Sequence, residues 1–325
     1  MSAYLVRRLL QSIIVIIGVT LLSFLVLHMA GDPTYLYVSE RASNEEIAAA
    51  RVALGFDRPL PEQYLNFMAG LLQGDLGTSL RSRQPAFDMV MSRLPATLEL
   101  TIFAMVLAVS LAIPIGILSA TKRGTPVDGG IMLFAMLGQS IPSFWLGLML
   151  LLFVGLQLRL LPISGHVPVL EPLLQGNFNE AAANFPSAIR YLILPGITIA
   201  VFSLSRNARL IRSSMLEVLS QDYVQTARSK GLPSRVVIMR HAFRNALVPV
   251  VTILGLEFGF LLSGVVVVET VFSWPGVGRL VFNAITQRDI PVVQASVVTF
   301  SMMFILLNLF VDVLYVRLDP RIRLH

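Results

Sequence analysis

The chain has no cysteine, which excludes disulfides and thiolate metal sites. It is also poor in charge. Asp, Glu, Lys and Arg make up 14% of its 325 residues, where a soluble domain carries about a quarter. Polar surface is therefore too scarce to cover a water-exposed globule of this size. The four histidines (His28, His166, His241 and His325) lie far apart in sequence, and no metal motif is present. No Gly-x-x-x-x-Gly-Lys-Ser/Thr phosphate loop occurs, which excludes a P-loop nucleotide site in this chain. The histidines and carboxylates form no catalytic cluster, and no internal repeat is visible. The net charge of +6 fits basic loops on the cytoplasmic side of a membrane, not nucleic-acid binding.

What is abundant is apolar residues, 55% of the chain, with a mean hydropathy of +0.75. They come in long blocks. A spanning helix needs about 20 mostly apolar residues, and blocks at 9–29, 96–119, 131–157, 191–205, 246–268 and 292–316 qualify. The fourth is short, with Pro195 and Gly196 inside its start, and is expected to borrow polar residues at its cytoplasmic end. The first follows Arg7 and Arg8 like a signal peptide. Its apolar run is too long for one, and no small-residue cleavage site follows it, so it is expected to be a retained helix. The expected fold is all-α: a polytopic membrane protein with six transmembrane helices.

Orientation follows from the Lys/Arg bias. With both termini in the cytoplasm, the cytoplasmic segments hold 15 basic residues against 4 acidic ones, Asp128, Glu217, Asp222 and Asp319, while the other side holds 10 against 12. The positive-inside rule is then met. The expected domains are an N-terminal transmembrane helix at 1–30, an extracytoplasmic segment at 31–95, and a core at 96–325 with five spans and a cytoplasmic loop at 206–245. In the outer segment, Ser43 with Glu46 fits a capping box, and that helix should end at Gly55. A second helix is expected at 61–73, stopping before Gly74. A shorter outer loop, 162–190, is rich in Pro, Asn and Gly.

Three carboxylates lie within or at the ends of spans, where charge is costly. Glu99 either reaches the outer interface or serves a site. Asp312 is within reach of Arg317 and Arg321. Glu257 lies about twelve residues into the fifth span, turned away from Gly255 and Gly259, a pair suited to close helix packing. It faces either another helix or a pathway. Pro114, Pro142 and Pro195 each remove a helix hydrogen bond. Beside Pro142, Gln139, Ser140 and Ser143 either line a pathway or satisfy freed carbonyls. Trp145 and Trp274 suit interfacial anchoring.

The loop at 206–245 is too long and too patterned for a simple turn. Ser220 or Asp222 can cap a short helix, and Gly231 can end it in the left-handed conformation. Pro233 can then start a second helix leading through His241 and Asn245 into the fifth span. On residues alone, this is either a basic loop that sets topology or a helix–turn–helix docking surface. Its positions Gln225, Thr226, Ala227 and Gly231 resemble the Glu-Ala-Ala-x-x-x-Gly coupling loop of ABC importer permeases, with Gln for Glu and Thr for the first Ala. Those departures, with Asp222, Tyr223, Arg228, Ser229 and Lys230, then His241, Ala242, Arg244 and Asn245, match the dipeptide/oligopeptide/nickel branch. The resemblance extends over nearly the whole chain, through Gly31-Asp32-Pro33, Leu54 to Pro59, Gly74 to Ser79, Arg93 to Leu100, Glu269 to Arg279 and Asp319 to Arg323.

This resemblance implies the type I importer permease core and a subunit that does no chemistry. It implies two ATP-binding partner subunits that hold ATP and Mg, a second homologous permease subunit and an extracytoplasmic substrate-binding protein, in the membrane lipid of a bacterial inner membrane. Asp222, Tyr223, Thr226, Ala227, Arg228, Lys230 and Gly231 map onto the ATPase-docking helix, where small Ala227 and Gly231 would permit close approach. Phe272, Trp274, Pro275 and Gly276 map onto the outer gate region. The implied cargo is a dipeptide or short oligopeptide; nickel, glutathione and oligosaccharides are carried by the same machinery. An ion-gradient-driven secondary transporter is the rival from another class, and it leaves the helix–Gly–helix loop unexplained.

Overall fold

In a computed structural model, the structure describes residues 2–29, 33–38 and 42–318. Among them the chain is helical, with thirteen α-helices, one 3-10 turn at Pro33–Leu36, and no strand beyond one isolated bridge between Thr78 and Pro85. They are α1 (Ser2–Met29), α2 (Asn44–Ala53), α3 (Leu60–Leu72), α4 (Ala86–Thr121), α5 (Pro126–Ser140), α6 (Ser143–Leu150), α7 (Leu170–Leu174), α8 (Phe178–Leu219), α9 (Asp222–Ser229), α10 (Ser234–Val236), α11 (Arg244–Val271), α12 (Val277–Thr286) and α13 (Ile290–Leu318). Wider π-helical turns continue α6 through Leu151–Gln157 and α10 through Val237–Phe243. The six apolar blocks all fall within these helices. Among the described residues, Ala86–Thr121, Phe178–Leu219 and Ile290–Leu309 are single helices long and apolar enough to cross a bilayer.

The third block is not one straight span. Pro126–Ser140 and Ser143–Gln157 meet at an angle of 101°. Pro142 explains the break. It has no N–H to donate, and its ring drives the preceding residue out of the helical region. Ile141 accordingly sits at φ −78°, ψ 122°. The fourth block departs the other way. It lies inside the 42-residue α8, which contains Pro186 and Pro195 without ending at either. The helix also takes up 178–190, where the composition suggested loop. At about 1.5 Å per residue, α8 is roughly 63 Å long, well beyond the ~30 Å hydrocarbon core.

The chain forms two compact units, one of residues 1–95 with 276–325 and the other of residues 96–275. In the first, α1 packs on α13, and Leu76, Ala86, Val90, Val277, Ala284, Val292 and Ala295 form a core. The Tyr64 hydroxyl of α3 lies 2.9 Å from the Thr20 hydroxyl of α1, and its ring meets Phe24 edge-on. Ser43 and Glu46 form the expected capping box, with reciprocal bonds of 3.2 and 2.8 Å. The short helices α2 and α3 give way to Gly55 and Gly74, both with positive φ.

In the second unit α8 is the central element, packed against α5, α6 and α11. It also meets α4, whose Ala96, Leu100, Ala104, Ala108 and Ala112 recur every four residues and are all buried. Small residues let the backbones approach closely. A Cβ added at Gly116 of α4 would come 2.9 Å from the Ala208 carbonyl oxygen, and one at Gly138 of α5 would come 2.2 Å from the Ser205 hydroxyl. Trp274 is 1% exposed and donates its indole N–H to the Ala96 carbonyl at 2.9 Å. It is a core residue and not the interfacial anchor that its type suggested. Trp145, 47% exposed, remains free for that role.

Of the remaining expectations, Gly31, Asp32, Asp319, Arg321 and Arg323 lie outside the described residues. The surroundings of Arg7, Arg8, Gly255, Asp312 and Arg317 likewise lie outside what is described.

Candidate functional site

The chain makes the expected short helix, break and second helix at 219–243. Its cap differs from expectation. Gln221 precedes α9 without a side-chain bond to the helix, and the Ser220 hydroxyl donates back to the Glu217 carbonyl at 2.7 Å. Gly231 holds the turn at φ 74°, which only glycine adopts cheaply. A Cβ there would meet nothing within 4 Å. The residue is therefore demanded by backbone conformation, not by a close neighbour.

The faces of α9 divide cleanly. Val224 and Ala227 turn inward onto Val237, beside Val218 and Leu219. Asp222, Tyr223, Thr226, Arg228 and Lys230 are exposed. Ala227 thus serves the packing of the short helix on its own chain. Tyr223 is tied to the following helix, since Asn245 Nδ2 donates to its hydroxyl at 2.8 Å. Arg228 shares a recess of about 350 Å³ with Arg123, Ser220 and Ser234.

Behind this segment lies a brace that sequence reasoning missed. Arg212 of α8 forks onto both carboxylate oxygens of Asp128 at 2.7 and 2.8 Å, and the Ser119 hydroxyl donates to the same carboxylate at 2.5 Å. The ends of α4, α5 and α8 are thus pinned together just outside the apolar blocks at 131–157 and 191–205. The Arg212 guanidinium, and after it the Ser119 hydroxyl, hold the Asp128 carboxyl well below the usual carboxylate range. No sequence signal links residues 84 positions apart; the basic loop alone pointed to Arg212.

The polar residues around Pro142 do come together. Gln139, Ser140 and Ser143 line a cavity of about 330 Å³ with Thr198, Phe202, Leu261 and Gly264 at the α5–α6 break. Ser140 both lines it and bonds a helix carbonyl, that of Met136, at 2.9 Å. Arg209 donates to the Gln139 side-chain oxygen. Glu257 is not among the lining residues. It is 2% exposed and accepts a 2.5 Å bond from Asn207 Nδ2 of α8. Of the two open directions, it therefore faces a neighbouring helix. Its Oε1 and Asn207 Oδ1 have no hydrogen-bond partner among the described residues.

At the other end of the apolar block within α4, Glu99 does more than reach an interface. It accepts from the backbone N–H groups of Val169, at 2.7 Å, and Leu170, and lies 2.7 Å from His166 Nε2. His166 in turn stands edge-on to Trp274. The carboxylate thereby fixes the segment entering α7. Of the residues mapped to the outer gate, Phe272 and Trp274 are buried in the core with Leu100 and Leu194. Pro275 and Gly276 fall where the chain passes from one compact unit to the other.

Residues 112–324 match the family described as binding-protein-dependent transport system inner membrane component, and residues 1–101 match the N-terminal part of such components. The dipeptide transport system permease protein DppB of Escherichia coli (strain K12) is 43% identical over 99% of this chain and 99% of its own. The di/tripeptide transport system permease protein DppB of Pseudomonas aeruginosa (strain UCBPP-PA14) is 42% identical over 99% of both. The glutathione transport system permease protein GsiC of Salmonella choleraesuis (strain SC-B67) is 41% identical over 99% of both. Among solved structures, the crystal structure of an amino acid ABC transporter with histidines aligns at a TM-score of 0.48 and 17% identity, over 71% of this chain and 94% of that one. The assignment rests on the family match and the full-length relatives, not on that distant alignment: the chain belongs to the family of inner-membrane components of binding-protein-dependent transport systems, and is an ABC transporter permease.

Proposed function

We propose that this permease carries dipeptides or short oligopeptides inward across the cytoplasmic membrane by alternating access. Energy comes from ATP hydrolysed on two partner ATP-binding subunits, which hold ATP and Mg; the permease itself is not an enzyme. A second, similar permease subunit completes the pore, and an extracytoplasmic binding protein delivers the cargo. Residues 206–245 and both termini face the cytoplasm. The observation that carries the substrate class is the 43% identity, over 99% of the chain, to a dipeptide permease.

Docking on the ATPase falls to the exposed face of α9, with Asp222, Tyr223, Thr226, Arg228 and Lys230. The shared recess of Arg123 and Arg228 supports an acidic partner surface. The brace of Asp128, Ser119 and Arg212 supports transmission, since it joins the helix leading into α9 to the ends of α4 and α5. The cavity beside Gln139, Ser140 and Ser143 supports a path along the α5–α6 break. The half-satisfied Glu257–Asn207 pair supports a change of packing between α8 and α11. A buried polar group without a partner costs about 1–3 kcal/mol, so a rearrangement that reaches it has energy to gain.

In proteoliposomes holding both permeases and both ATPases, with binding protein outside, uptake of a labelled dipeptide is expected to require internal ATP and to stop with vanadate. Uptake driven by an ion gradient without the ATPases would overturn this reading in favour of a secondary transporter. The similarity to the glutathione permease at 41% identity favours glutathione as the second cargo to test. Stronger competition by glutathione than by dipeptides would reassign the cargo and leave the machinery in place.

A further inference from the structure

The groove at the end of α6 is unused by the transport reading. It measures about 680 Å³ and is lined by Gly155, Leu156, Leu160, Ile163, Tyr191 and the two arginines Arg159 and Arg190. That size is within the range of about 300–1,000 Å³ usual for small-molecule sites. Its walls follow from local structure. Arg159 takes a positive φ of 52° and turns the chain back after the π-helical stretch. The returning segment lies so close that a Cβ on Gly155 would come 2.4 Å from Ile163 Cγ2. Among the described residues, neither Arg159 nor Arg190 has a hydrogen bond or a carboxylate partner, and both are exposed. The wall beside them is apolar and equally exposed. Leu156 is 54% and Leu160 62% exposed, and the wall continues along α6 into exposed Leu152 and Phe153.

We infer that this groove binds a membrane phospholipid, its headgroup phosphate held by Arg159 and Arg190 and its acyl chain laid along the Leu156 and Leu160 wall. Three observations favour a lipid over other anions. Two guanidinium groups with no carboxylate to neutralise them share one groove, and their planar forks match phosphate oxygens. From its polar end at Arg159, Arg190 and Ser187 the groove passes Leu156 and Leu160 toward exposed Leu152 and Phe153, so an amphipathic ligand satisfies both ends at once. Both arginines also lie at the end of apolar segments, 131–157 and 191–205, where headgroups are found. An acidic patch on a partner subunit would match the arginines but would leave the leucine wall uncovered.

The test uses the full-length protein, purified in detergent with whichever transporter subunits accompany it, and native mass spectrometry with added phosphatidylglycerol. The wild-type complex is expected to retain phosphatidylglycerol through a detergent wash that strips phosphatidylcholine. The R159Q/R190Q variant should lose that retention at least tenfold, and R159K/R190K should keep an intermediate share. Millimolar inorganic phosphate is expected not to displace the lipid, which separates a headgroup from a free anion. Equal retention by wild type and R159Q/R190Q would overturn the proposal. So would binding of phosphate without lipid, or loss of a partner subunit or of the binding protein from the variant with lipid retention intact.

Discussion

At the scale of single residues, the site depends on conformation and charge pairing more than on bulk. Gly231 shows the first. Its open surroundings mean that alanine and leucine should be equally harmful, each forced into a left-handed backbone at roughly 1–2 kcal/mol. Substrate-stimulated ATPase activity and uptake should fall to a similar degree in Gly231→Ala and Gly231→Leu, and less in Gly231→Asn. A graded loss with side-chain size would show that a partner's surface, absent from the free chain, sets the requirement. Asp128 shows the second. Asp128→Asn leaves Arg212 without its counter-charge and should lower thermal stability by about 1–3 kcal/mol. The folded carboxyl is depressed by Arg212, so its stabilisation is fully present above the unfolded value of about 3.9 and is lost as pH falls through the lower folded value. The penalty should therefore be flat from about pH 5 to about pH 8; a penalty that vanishes within that window would refute the assignment. Gly231 was legible in the sequence because a glycine after a short cappable helix has a local cause. The Asp128 brace was not, because its three members meet only when α4, α5 and α8 are packed.

At the scale of elements, prolines have opposite outcomes according to what surrounds them. Pro195 lies within α8, whose neighbours hold the helix in place around it, and the helix runs on. Pro142 ends α5, and Ile141 is extended. Hydrophobicity could show the apolar length of 131–157 but not its path, since a straight and a broken helix bury the same residues in lipid. The cavity that gathers Gln139, Ser140 and Ser143 exists because of that break. Replacing Pro142 with Ala restores the N–H and frees Ile141 to become helical. The cysteine-free chain permits spin labels at Leu133→Cys and Leu152→Cys, both exposed positions. In Pro142→Ala, their separation is expected to lengthen toward the roughly 28 Å of a straight helix. An unchanged distance would assign the bend to packing on α8.

At the scale of the whole molecule, topology is the property on which transport depends. Single cysteines at Leu72 of α3 and Gln225 of α9 test it, since both positions are exposed. In intact cells a membrane-impermeant maleimide should label Leu72→Cys and spare Gln225→Cys until the membrane is opened. The reverse pattern would invert the protein and remove α9 from the ATPases. The segment at 31–95 also takes its meaning at this scale. It reads as a separate outer element along the chain, yet it forms one compact unit with α1, α12 and α13, because Leu76, Ala86 and Val90 find their apolar partners at 277–295.

The all-helical membrane character, the six apolar blocks, the helix–Gly–helix segment and the family are legible along the chain alone. Each of these follows from residues close in the chain, or from motif order along it. Packing alone brings Glu257 to Asn207, fastens the segment entering α7 to Glu99, and makes Trp274 core. Packing also turns Ala227 inward and places Arg159 and Arg190 in one groove. Helical periodicity gives each side chain a direction about its own axis. Which neighbour occupies that direction depends on how helices far apart in sequence come to pack.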